Sequence, residues 1–492
     1  MSNFDFNGEL TEVSNYIAGK WVDGSAGKLD VHSPYFGKIC GTTTLSNSND
    51  VDLAVKGALE NQKTWAETPL KARTQILFKF REILLRDQDK ISSIVALENG
   101  KTIQEARAGL MKGIEVLEYA LSLQNNDTGG KMEVSRGVFC EYRREALGVV
   151  ASITPFNFPA MVPMWTIPIA IALGNAYIWK PSEKTPLTSK FIADAFNEAG
   201  LPAGILTVVN GEKEAVEAII DHKDVKAVAF VGSTKIANAV YTRATSLGKR
   251  ALCLGGAKNH IILLPDADLE VTGMGISDSF TGCAGQRCMA ASVLLAVGDV
   301  DKHIEKIKER SQTQTLGSSM GAIITKEQLK FLNEAIENAV NDGATLVLDG
   351  RKPDVDDKFK DGFWLGPTIL DNVKPNSQAA SFELFGPIIA IIRCKNVSEA
   401  IEIQNSNEYG NAASVFTSSG PMAEMVASKA KCGMFGVNIG VPVPREPFSF
   451  GGVNASKFGH GDITGKLSLD FWTNTKKITT KWEMQSDSNW MS

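Results

Sequence analysis

The chain has 492 residues, too many for one compact core, so two large domains with an appendage are expected. Hydrophobic residues make up 43% and charged residues 22%, which excludes disordered and collagen-like chains. A formal net charge of -5, from 51 basic and 56 acidic residues, excludes a general attraction to nucleic acid or anionic membrane, so any anion binding must be local.

The opening MSNFDFNGELTEV has early acids and no basic region followed by an apolar stretch. A secretory leader is therefore not expected, and the cytoplasm is the default address. Seven cysteines in such a chain argue against a disulfide framework. There is no CxxC pair and the five histidines are scattered, so no zinc site assembles from local spacing. The first third reads as helical. VDLAVKGALENQKTW places Leu53, Val55, Ala58 and Leu59 near one face, and RTQILFKFREILLRDQDKISSIVALENGK repeats the pattern. The apolar stretch from Met161 to Ala172 contains Pro163 and Pro168, is too short to span a bilayer, and reads as a buried helix.

From Leu147 apolar strands alternate with helices: LGVVASITP, NAYIWKPS, TSKFIADAFNEAG, ILTVVNG, EAVEAIIDH and KAVAFVGST. That alternation predicts a parallel sheet with crossover helices. A second series follows Lys258, with HIILLPDADL, ASVLLAVGD, a helical DKHIEKIKERSQTQ, then IIAIIRCK, ASVFTSS and FGVNIG, so two tandem α/β domains fit the length. GVFCEYRREALGVV and GKLSLDFWTNTKKITTKW alternate with period two and read as strands of an exposed ribbon. Such ribbons usually pair with another subunit, so a homodimer or homotetramer is expected.

SFTGCAGQRCMAAS offers the best nucleophile. Cys288 precedes MAASVLLAV, read as a helix, which would put its sulfur near a helix N-terminus beside Arg287, a setting that favours a thiolate. Taken alone, a cysteine in such a chain is more often a small buried apolar residue. Four other motifs change that judgement: PFNFP at Pro155 to Pro159, WKPSEKTP at Trp179 to Pro186, FVGST at Phe230 to Thr234, and ELFGP at Glu383 to Pro387. With GQRC at Gly285 to Cys288 they stand in the order and spacing of one family. The chain resembles the aldehyde dehydrogenase superfamily over nearly its whole length.

The resemblance implies an α/β, aldehyde dehydrogenase-like fold of two Rossmann-like α/β domains plus a β-ribbon oligomerisation arm. Residues 1–127 and 147–256 would form the NAD-binding domain, 257–467 the catalytic domain, and 128–146 with 468–492 the ribbon. Cys288 would form a thioester, and Asn157 with the Cys288 backbone N–H would stabilise the alkoxide that precedes it. Fixed donors of that kind are worth roughly 3–4 kcal/mol each. No GxGxxG follows a strand, so the common dinucleotide fingerprint is absent. The resemblance instead gives Lys180 and Glu183 to the adenosine ribose, with Lys184 in the same loop and Ser233 at the pyrophosphate. Glu383 matches the residue that holds the nicotinamide ribose, with Phe385, Thr154 and Phe156 around it. A carboxylate at Glu183 repels a 2′-phosphate and so favours NAD over NADP.

Most hydrolytic members carry a glutamate before LGG, where this chain has Cys253 in ALCLGGAKNH. A thiol is a poor base, so the thioester would survive until another thiol attacks it, and coenzyme A is the candidate co-substrate. AKNH, AGQRCMA, PFNFPAMVPMW and VPVPREPFSFGG resemble the methylmalonate-semialdehyde dehydrogenase branch, which is CoA-acylating. That branch meets the substrate carboxylate with two arginines. Arg287 matches one, and Lys112 in MKGIEVLEYA stands at the other. Lysine is a point charge rather than a planar fork, which keeps open non-acylating oxidation of another short acidic aldehyde, such as sulfoacetaldehyde. From a different class, a non-catalytic structural relative would have no need of Cys288, Asn157, Lys180 and Glu383 together.

Overall fold

The computed structural model describes residues 6–126 and 129–482. Its first large sheet runs Lys457–Phe458, Arg250–Leu254, Val225–Val231, Val149–Ile153, Ala176–Lys180, Leu206–Val208, Asn15–Ile17 and Lys20–Val22. The five central strands are parallel. Their near-continuous apolar runs follow from helices covering both faces. Helix Met161–Ala172 is buried along nearly its whole length, as its sequence predicts. Among the described residues no helix is long and apolar enough to cross a membrane.

Helix Ser48–Glu67 forms where expected, started by a capping box between Asn47 and Asp50. Its buried face is not the expected one. Leu53 and Leu59 are 58% and 41% exposed, while Val51, Ala54, Val55, Ala58 and Trp65 face inward. Small residues let this helix lie close to the sheet, and a Cβ at Gly57 would already stand 3.3 Å from that of Ala18. The segment before it is not helical. Strands Thr11–Val13, Lys28–Ser33 and Lys38–Thr44 form a small sheet of their own. Thr11–Val13 has three residues, too few to display alternation, and the sequence reading did not single out the six- and seven-residue strands Lys28–Ser33 and Lys38–Thr44.

The second large sheet runs Thr345–Leu348, Thr368–Asp371, Ile388–Cys394, Ala291–Val297, Asn259–Leu263, Ala412–Phe416 and Met434–Val437. It is parallel apart from its first strand. MAASVLLAV, expected as a helix, is the central strand Ala291–Val297. Covered on both faces, it shows an unbroken apolar run from which periodicity cannot separate a strand from a helix.

Strand Thr473–Lys481 pairs antiparallel with Val138–Ala146 over nine residues, and Gly130–Ser135 adds a third strand. This ribbon is shorter than the two sequence segments read as strands. The LGVV tail of one belongs to the first large sheet, and Ser468–Trp472 in the other is a helix that buries Phe471 and Trp472. Asn175 ties ribbon to body: its Oδ1 accepts the Leu147 N–H at 2.8 Å, and its Nδ2 donates to the carbonyls of Ala170 at 3.1 Å and Trp472 at 3.0 Å. Of the expected domain ranges, 1–5, 127–128 and 483–492 lie outside the described residues.

Candidate active site

Three stretches of backbone, drawn from the segments of both large sheets, are joined by side-chain contacts. The first is the turn after strand Val149–Ile153. Thr154 donates its N–H to the Lys180 carbonyl at 3.0 Å and accepts the Trp179 indole N–H at 2.9 Å. The Phe156 carbonyl accepts Asn99 Nδ2 at 2.7 Å. Asn157 follows, buried, and its amide makes no hydrogen bond to another described residue. The ammonium of Lys101 lies 4.2 Å from the centre of the Phe158 ring.

The second stretch is the groove after strand Ala176–Lys180. Lys180 Nζ pairs with Glu183 Oε2 at 3.1 Å, and Lys184 Nζ lies 5.4 Å from the Phe156 ring centre. Burial pushes the Glu183 carboxyl up, but Lys180, Lys184 and the hydrogen bonds outweigh it and leave it below its usual range. Ser233 caps helix Thr234–Ser246 without a side-chain cap bond, so the first-turn N–H groups keep free donors. Thr234 Oγ1 accepts the Gly256 N–H at 2.8 Å, and Glu383 Oε1 accepts the Ala257 N–H at 3.0 Å. A Cβ at Gly256 would overlap Glu383 Oε2, so any larger residue here would displace the carboxylate. These bonds bring the helix terminus and Glu383 together. Phe385, at φ 60°, sets its ring edge-on to Phe156 with centres 5.9 Å apart.

The third stretch is 282–288. Cys283 and Ala284 adopt left-handed φ of 55° and 51°, and Cys288, at the end of this stretch, lines a cavity. Lys258, Asn259, Arg287, Glu383 and Phe385 also line it. Two asparagines that sequence reasoning missed hold the Cys288 carbonyl: Asn259 Nδ2 at 2.7 Å and Asn411 Nδ2 at 2.9 Å. The expected helix terminus at the sulfur is absent, since a strand follows. Burial, reinforced by Glu383, pushes the thiol up to about 12, against the smaller pull of Arg287 and Lys101. Burial also brings Lys258 down to about 7 and raises Glu383 to about 7, each resisted by the other's charge.

Of the two expected anion-binding cations, Arg287 donates through Nη2 to the carbonyls of Asp278 and Ser279, while its Nε is buried without a hydrogen-bond partner. Lys112 is already engaged. Its Nζ donates to Glu115 Oε2 at 2.9 Å and to the Pro444 carbonyl at 3.3 Å, and lies 4.0 Å from Glu446 Oε2. Cys253 is wholly buried in the core of the first sheet, and burial pushes its thiol up to about 12.

The family model described as the aldehyde dehydrogenase family matches residues 21–478. The chain belongs to the aldehyde dehydrogenase family. Among curated aldehyde dehydrogenases it is 39% identical over 480 residues to malonate-semialdehyde dehydrogenase of Halalkalibacterium halodurans, covering 96% of this chain and 98% of the relative. The methylmalonate-semialdehyde dehydrogenase of Oceanimonas doudoroffii superposes with a TM-score of 0.94 at 37% identity, over 96% of this chain and 99% of that one. A Sinorhizobium meliloti structure in complex with NAD also superposes with a TM-score of 0.94, at 38% identity over 97% and 99% of the two chains. The α/β architecture read from the sequence is that of the aldehyde dehydrogenase fold.

Proposed function

We propose that this aldehyde dehydrogenase oxidises a short aldehyde carrying an acid group, of the malonate or methylmalonate semialdehyde class, with NAD as hydride acceptor. The observation that carries the reading is the shared cavity in which Cys288 meets Glu383 and Phe385, linked by two hydrogen bonds through Ala257 and Gly256 to Thr234, the first residue of helix Thr234–Ser246. That arrangement fits a dinucleotide: Lys180 and Glu183 would hold one ribose, Ser233 and the helix terminus the pyrophosphate, and Glu383 the other ribose. Thr154, Phe156 and Phe385 would surround the nicotinamide half, and residues 6–126 with 147–256 would be the nucleotide-binding part. When bound, NAD supplies the oxidising power by taking hydride from the carbon attached to sulfur.

The chain's own residues do the rest. Cys288 gives up its proton to solvent and its Sγ attacks the aldehyde carbon, so the carbonyl π electrons move onto the oxygen, which gains charge. The unpaired Asn157 amide and the Cys288 N–H are the donors for that charge. Arg287 Nε, a buried donor without a partner, is the group on offer for the substrate's acid. After oxidation the acyl group is held on sulfur as a thioester. Cys253, sealed in the core with a raised thiol, cannot act as the base that activates water. This favours transfer to an incoming thiol, with coenzyme A as co-substrate.

The test is a product assay with malonate semialdehyde, with and without CoA, read by mass spectrometry. Acyl-CoA, with NADH formation accelerated by CoA, is the expected result. Free acid formed at the same rate in both arms would overturn the acyl-transfer reading while leaving the oxidation intact.

A further inference from the structure

Cys288 rests as a protonated thiol, so its attack on an aldehyde needs a group that takes the proton on its way to solvent. Cys253 is sealed in the other core, and a guanidinium such as that of Arg287 does not act as a base in proteins. The side chains that line the cavity with Cys288 include Glu383 and Lys258, both able to accept a proton. Glu383 is already engaged. Its Oε1 accepts the Ala257 N–H at 3.0 Å, and its carboxylate is the group proposed above for a ribose of NAD.

Lys258 stands immediately ahead of strand Asn259–Leu263, which pairs in parallel with Ala291–Val297, Asn259 opposite Ala291. Cys288 leads into that partner strand from the same end. The Asn259 side chain fixes the two approaches to each other, since its Nδ2 donates to the carbonyls of Cys288 at 2.7 Å and Ala290 at 2.9 Å. Lys258 is 4% exposed, and its Nζ has no hydrogen-bond or salt-bridge partner among the described residues. An ammonium buried in that state is disfavoured, so burial brings the side chain down to about 7 against the opposing charge of Glu383. The other groups around it do not compete for its role. His260 Nδ1 donates to the Lys258 carbonyl at 2.8 Å, and burial, helped by the Lys258 charge, takes that imidazole down to about 4. Arg287, also on the cavity wall, keeps its charge.

We propose that Lys258 is the general base of the oxidation, taking the Sγ proton of Cys288 as the sulfur attacks the aldehyde. The S–H bond breaks and leaves its electron pair on sulfur for the new S–C bond. The amine lone pair forms the new N–H bond, and the ammonium then releases one proton to solvent. This rests on the oxidation through Cys288 proposed above and adds the base that it requires. A base that titrates at about 7 works at neutral pH, where a thiol pushed up to about 12 does not ionise unaided.

The test is the pre-steady-state burst of NADH from malonate semialdehyde, which reads thioester formation apart from acyl release. In the wild type its rate should rise with pH through an inflection at about 7. Lys258→Met should be slower by about a hundredfold at pH 7.5, the low end of what general bases contribute, and should lose that inflection. Lys258→Arg keeps a positive charge but cannot take a proton, so it should be as slow as Lys258→Met. Methylamine should partly restore Lys258→Ala in proportion to its free-base concentration. Glu383→Gln should keep the inflection, moved to lower pH because the carboxylate that raises the lysine is gone. A wild-type burst rate that is flat from pH 6 to 9, or Lys258→Arg as fast as the wild type, overturns the proposal. No NADH from malonate semialdehyde or propanal overturns the oxidation reading instead. Iodoacetamide labelling of Cys288, which needs no aldehyde, then decides the base, and equal rates at pH 7.5 in the wild type and Lys258→Met overturn it.

Discussion

Cys288 is gripped by its backbone and left alone at its sulfur. Asn259 and Asn411 hold its carbonyl, while burial and the Glu383 carboxylate keep the thiol protonated at rest. The sign of the Glu383 effect is testable. Its negative charge disfavours a neighbouring thiolate, so Glu383→Gln should lower the thiol pKa and speed iodoacetamide labelling of Cys288 at pH 8, by about tenfold if that pKa falls by one. Because the wild-type carboxyl titrates at about 7, the advantage should fade as the pH drops below 7 and the native side chain is itself neutral. Peptide mapping across pH 6 to 9 checks this, and equal labelling throughout would remove Glu383 from the thiol's surroundings. Cys288, Glu383 and Phe385 could be singled out because each sits in a short motif, and the structure gathers them in one cavity. Asn411 could not, since it acts on a carbonyl 123 residues away and its own neighbours carry no chemistry. The surroundings of Lys112 were equally hidden, being set by Pro444 and Glu446 from a distant loop.

Elements were readable where their periodicity was unambiguous. The buried Met161–Ala172 and the paired strands of the ribbon follow from their patterns, whereas the helix Ser48–Glu67 forms where expected but turns another face inward. Ala291–Val297 does not, because a strand buried on both faces has no polar side to mark its period. That error also misplaced the electrostatics of Cys288, by supplying a helix terminus that is not there. Where elements join, one side chain can matter more than any pattern. Asn175, with no exposed surface, satisfies the N–H groups of Leu147 and Gly148 and the carbonyls of Ala170 and Trp472. Asn175→Ala leaves these groups short of partners in the interior and should cost about 3 kcal/mol of stability. Thermal unfolding would show this as a clearly lowered Tm, and a Tm equal to the wild type would mean that water replaces the side chain.

At the scale of the whole molecule the ribbon has two edge strands, Gly130–Ser135 and Thr473–Lys481, whose residues are mostly exposed. Exposed edges of this length usually find a partner. A truncation that tests assembly must spare Trp472, which is fully buried in the first core. Removing residues 475–492 should leave a folded subunit that assembles into smaller species by light scattering, and an unchanged mass would show that assembly uses another surface. The anchors around the reaction centre also bear on how far this chain can be taken apart. Asn157 is carried by a turn held from Asn99, on the side of the first sheet, whereas the Cys288 carbonyl is held by Asn259 and Asn411, on the side of the second. Neither half owns the chemistry. A chimera that exchanged residues 257–467 for those of a distant relative would set Gly256 from one parent against the carboxylate at position 383 from the other, so the fit at that seam would depend on both parents.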